Sequence, residues 1–96
     1  MIFDQADFLV PKAFSPNNDG HNDKLLIVVP GIEVVSYFRI FNRWGNLVFE
    51  TTNINITWDG MFRGLAQPSE AYSWFAEGIS NLGNKIQRNG QTLILR

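Results

Sequence analysis

The chain has 96 residues, of which 45% are hydrophobic, 14% aromatic and 18% charged. That length fits one domain and one core, and three Trp, two Tyr and eight Phe are enough to fill it, so global disorder is excluded. Eight Lys and Arg against nine Asp and Glu, without clusters of either sign, argue against a nucleic-acid binder or a polybasic membrane anchor. The absence of Cys removes disulfides, Cys-ligated zinc, iron–sulfur clusters and thiol nucleophiles.

Residues 1–7 carry no basic region followed by an apolar stretch, so no signal peptide is expected there. No apolar run nears the roughly 20 residues of a spanning helix, so direct membrane insertion is not expected. The run Leu25-Leu26-Ile27-Val28-Val29, closed by Pro30-Gly31, predicts a buried strand and a turn. Across residues 34–41, Val34, Ser36, Phe38 and Ile40 share one face while Val35, Tyr37, Arg39 and Phe41 share the other. Asn42-Arg43-Trp44-Gly45-Asn46 then interrupts, and Leu47-Val48-Phe49-Glu50 follows, which predicts a β-hairpin.

Residues 54–58 alternate again and stop at the turn dipeptide Asp59-Gly60. Residues 61–68 read as a loop or a weak edge strand. Tyr72, Trp74 and Ala76 share one strand face opposite Ser73, Phe75 and Glu77, and residues 81–84 are turn-like. After Ile86 to Arg88 comes an Asn89-Gly90 pair, and then a last strand in which Leu93 and Leu95 oppose Thr92 and Ile94, as if buried on both faces. About seven short strands at this spacing, with no helical period, predict an all-β, antiparallel, immunoglobulin-like β-sandwich in a single domain.

The richest polar stretch is Ser15-Pro16-Asn17-Asn18-Asp19-Gly20-His21-Asn22-Asp23. Calcium needs six to eight oxygens from a chain that folds back on itself. Laid on an EF-hand loop, Asn17, Asp19, the His21 carbonyl and Asp23 fall at ligand positions, with Asp59 a possible distant donor. Ser15 and Leu26 stand where the first ligand and the bidentate Glu belong, so a string of Asx-turns is the competing reading. His21 is the single histidine; Asp19 and Asp23 are its nominal partners, but no Ser or Lys sits in a nucleophile motif, so no enzyme is expected.

Trp44, Trp58, Trp74, Tyr37 and Tyr72 could line a sugar- or peptide-binding face, which with the acidic loop makes a calcium-dependent carbohydrate-binding or adhesion module the alternative. For Trp58 and Trp74, mid-strand, core packing is the simpler reading. Trp44 differs, because it lies in the hairpin loop beside Arg43, either folded back over the sandwich end or presented to a partner.

The segment Phe14-Ser15-Pro16-Asn17-Asn18-Asp19-Gly20-His21-Asn22-Asp23 resembles the opening of the gliding-motility-associated C-terminal domain, the type B sorting domain of the type IX secretion system in Bacteroidetes. Residues 40–50 resemble that family's IFNRWG signature, Trp58-Asp59-Gly60 followed by Gly64 its WDG step, and residues 68–74 and 90–96 its closing blocks. Glu70 and Ala71 stand where the family usually has Gly-Thr. The resemblance implies a non-enzymatic C-terminal sorting domain over residues 1–96, with 1–7 as a lead-in or cloning remnant. It further implies an N-terminal cargo, passage from the periplasm through the translocon to the cell surface or medium, and a PorP/SprF-type outer-membrane partner. Asn42, Arg43, Trp44 and Gly45 are the expected recognition residues, and no cofactor is expected unless the acidic loop takes calcium.

Overall fold

The computed structural model describes residues 5–16 and 23–96. Every regular element among them is a strand: β1 (Ala13–Phe14), β2 (Ile32–Phe41), β3 (Leu47–Thr51), β4 (Met61–Phe62), β5 (Leu65–Ala66), β6 (Ala71–Ser80) and β7 (Lys85–Ile94). Five form one sheet in the order β1-β7-β6-β2-β3, and β4 pairs with β5 in a small second sheet. The all-β expectation therefore holds. One ladder departs from the antiparallel pattern, since β1 runs parallel to β7, with Ala13 opposite Leu93 and Phe14 opposite Ile94.

Alternation decides the faces of the large sheet. Phe38 and Ile40 on β2, Tyr72, Trp74 and Ala76 on β6, and Thr92 and Ile94 on β7 all point into the core. Opposite them, Phe8, Leu25, Ile27 and Trp58 come from segments outside the sheet and join the same buried cluster. This second layer is held by the β4–β5 hairpin and two isolated bridges, Leu9 with Val28 and Leu25 with Trp58. Two layers over one core is the arrangement of a sandwich, with one layer regular and the other ragged.

Four strand expectations change at this level. Residues 25–29 are not a strand buried on both faces: Leu25 and Ile27 are buried, while Leu26 and Val28 are 64% and 58% exposed. The run bridges to Trp58 at one end and to Leu9 at the other, so no continuous ladder forms. Residues 54–58 are not a strand either. The Asn53 side chain accepts the Asn55 N–H at 2.9 Å and the Asn53 carbonyl accepts the Ile56 N–H at 2.9 Å, a local turn that overrides the alternation.

Asn89-Gly90 does not separate two strands; it lies inside β7, where Gly90 opposes Trp74. A Cβ on Gly90 would stand 3.0 Å from the Trp74 ring, so the glycine is there to admit the indole. The last strand is buried on one face only, with Leu93 and Leu95 exposed. Buried Thr92 keeps its hydroxyl satisfied by donating to the Pro11 carbonyl at 2.9 Å. The weak edge expected in residues 61–68 is the β4–β5 hairpin, turned by Arg63 and Gly64 with φ of 53° and 79°.

Candidate docking site at the hairpin end

The β2–β3 hairpin is closed by a loop that the Asn42 side chain organises. Its Oδ1 accepts the N–H of Trp44 at 2.9 Å and that of Asn46 at 3.0 Å. The Asn42 N–H donates to the Asn46 carbonyl and the Gly45 N–H to the Asn42 carbonyl, each at 3.0 Å. Gly45 has φ of 79°, a left-handed conformation that glycine adopts without a Cβ penalty. With its backbone tied internally, the loop offers its side chains outward.

Trp44 is 72% exposed, so the indole does not fold back as a lid. The Arg43 guanidinium lies 4.8 Å from the centre of that ring, within cation–π range. Its Nε also sits 3.2 Å from Glu70 Oε2, in a pair where the Arg43 side chain is 65% exposed and that of Glu70 18%. Glu70 immediately precedes β6 and is anchored there, its backbone carbonyl accepting the Ile94 N–H at 3.1 Å. Sequence reasoning did not assign Glu70 to the site; its one signal was its place in a closing block where Gly is usual.

Below the loop, the outer face of the large sheet carries an open groove of about 570 Å³. Phe41 and Phe75 meet edge to face there, with ring centres 5.7 Å apart. Ala71, Ser73 and Gln91 complete the floor and Arg43 stands at the rim. The alternation of β6 had already placed Ser73 and Phe75 opposite the core residues, so this face was readable from period two; the groove was not.

The other candidates fall elsewhere. Trp58, Trp74 and Tyr72 are buried in the core, so they form no exposed binding face. The Trp58 Nε1–H donates to the Met61 carbonyl at 2.9 Å. Tyr37 is half-buried beneath Arg39, whose guanidinium lies 4.2 Å from its ring centre. Of the calcium candidates, Asn17, Asp19 and His21 lie outside the described residues. Asp23 lines a hollow shared with Asp59, but Lys24 and Arg96 line it too. Among the described residues no three His, Asp or Glu side chains are grouped as metal ligands.

The fold is two-layer and all-β, and it carries an exposed Arg-Trp loop above a groove floored by Phe41 and Phe75. The chain belongs to the type IX secretion signal domain family: the CHU_C model of that family matches residues 8–92. The family is a sorting signal rather than a catalytic domain, and membership makes the chain a signal for export to the cell surface or medium. No curated protein matches the chain.

Proposed function

We propose that this domain is the C-terminal address of a larger protein, carrying an N-terminal cargo from the periplasm through the type IX translocon. The Asn42–Gly45 part of the hairpin loop is the face the export machinery reads, and a PorP/SprF-type outer-membrane protein is its reader. The observation that carries this reading is Trp44, an exposed indole on a loop whose backbone is hydrogen-bonded to itself, with Arg43 beside it. Trp and Arg are the residue types most enriched at binding hot spots, and a pre-ordered loop loses little entropy on docking.

The test is the double substitution Arg43→Ala, Trp44→Ala in a cargo fusion that is exported with the unaltered domain. Export should fall by about tenfold or more, as expected when a hot-spot pair is lost, with thermal unfolding still cooperative. Undiminished export would remove the loop from recognition. Loss of cooperative unfolding would make the loop a structural element instead.

A further inference from the structure

The two ends of the described chain lie side by side. Asp7 Oδ1 accepts the Arg88 Nε–H at 3.0 Å, and the Pro11 carbonyl accepts the Thr92 hydroxyl at 2.9 Å. The Leu93 and Leu95 N–H groups donate to the carbonyls of Lys12 at 2.8 Å and Phe14 at 2.9 Å, and Arg96 reaches the Pro16 carbonyl at 3.1 Å. The offset between partners is 81 residues at Arg88 and at Thr92 and 80 at Arg96, so residues 7–16 run parallel to residues 88–96 well beyond the two residues of β1. Phe8 and Phe14 anchor this run in the core. Its direction sets two poles. Ala6 lies against Gly31 just before β2, and the Asp7 N–H donates to the Pro30 carbonyl at 3.1 Å. The chain therefore enters beside the start of β2, while the hairpin loop closes its other end, about 30 Å away at the rise of a ten-residue strand.

We infer that residues 7–16 and 88–96 form a load-bearing clasp, which keeps the domain folded while a cargo draws on its N-terminal side and the hairpin end is held. A pull between those two points acts along the strands. Hydrogen bonds that run across the strands then share the load and yield together, whereas a pull that peels the run from its entry end breaks them one after another. Sliding the run as a unit also takes Phe8 and Phe14 out of the core in the same event. The inference rests on the loop reading above for the point that is held, and adds a mechanical role to the domain.

The experiment holds single molecules at constant force in an optical trap. Because the chain has no Cys, handles attach cleanly at Gln5→Cys with Asn46→Cys in one version, and at Gln5→Cys with Leu82→Cys in the other. Asn46 gives the loop only its backbone groups. Leu82 follows β6 at the entry pole, where the Asn81 N–H donates to the Gly31 carbonyl at 2.9 Å, so the second version peels the run from Asp7 onward. At one force the first version should survive about tenfold longer or more, the rate equivalent of one or two hydrogen bonds yielding together. Arg88→Ala with Thr92→Val should shorten that lifetime about tenfold. Arg88→Ala alone, at an exposed ion pair, gives the same direction of change should the double variant not melt cooperatively. Lys85→Ala, which removes an exposed pair with Glu77 on the other side of β7, should leave the lifetime unchanged. Equal lifetimes in the two pulling directions, or clasp variants that last as long as Lys85→Ala, would overturn the inference. No export enters this measurement, so that result leaves the loop reading standing, and export undiminished by Arg43→Ala, Trp44→Ala would remove the loop without touching the clasp.

Discussion

The Tyr72 hydroxyl donates to the Pro68 carbonyl at 2.8 Å, and its ring stands edge-on to Trp58 with centres 5.1 Å apart. Burial pushes its pKa up from 10.0 to about 12, and the neighbouring Glu70 charge and hydrogen bond push the same way, against a smaller lowering by Arg96. A raised folded-state value means that the folded chain keeps a proton the unfolded chain releases. The contribution of Tyr72 to stability is therefore complete below pH 10 and is lost as the pH rises toward 12. Tyr72→Phe should lower stability at neutral pH by about 1 kcal/mol, the usual worth of one hydrogen bond. Between pH 10 and 12 the gap between the two proteins should narrow, as read by chemical denaturation across that range. A gap that stays constant would mean that Tyr72 titrates no differently in the folded chain.

Arg96 works at the same scale on a wider reach. Its guanidinium donates to the carbonyls of Gln67 at 2.7 Å, Pro16 at 3.1 Å and Gly60 at 3.0 Å, gathering three segments of the ragged layer. Three partners held by one side chain substitute for the ladder that this layer lacks. Arg96→Ala should cost about 2 kcal/mol or more, because each carbonyl loses a charged donor, and an unfolding midpoint that does not move would contradict that role.

At the scale of elements, β6 and β7 meet through the fit of Trp74 over Gly90. Gly90→Val should destabilise the domain by about 1–3 kcal/mol through overpacking, and Trp74→Phe in the same background should recover part of the loss. Failure of the second substitution to recover anything in a denaturant melt would locate the strain elsewhere. The example also explains why Asn89-Gly90 misleads in the sequence: a dipeptide cannot show that an indole on the neighbouring strand occupies the space over it. The hairpin was legible because alternation on both sides and a Gly-bearing loop all agree locally, from Phe38 and Ile40 through Gly45 to Val48. Residues 25–29 and 54–58 were not, since the first changes its bridging partner midway and the second yields to the Asn53 side chain. In the candidate site, Trp44 and Arg43 could be picked out by residue type and position. Glu70 could not, because its pairing with Arg43 depends on how the start of β6 lies beside the hairpin end.

Taken whole, the molecule puts its aromatic bulk into one core beneath a five-stranded sheet and keeps a single indole, Trp44, on display. A net charge of -1 offers little long-range attraction, so the proposed recognition calls for short-range contacts at particular side chains. Membership of the type IX secretion signal family makes the domain an export signal, and a cargo fusion tests that role most directly. The domain should be joined to the C-terminus of a periplasmic fluorescent protein and expressed in cells with and without a working type IX translocon. Fluorescence at the surface or in the medium only where the translocon works is the predicted result. Fluorescence that stays in the periplasm of competent cells, with the domain folded, would contradict the account.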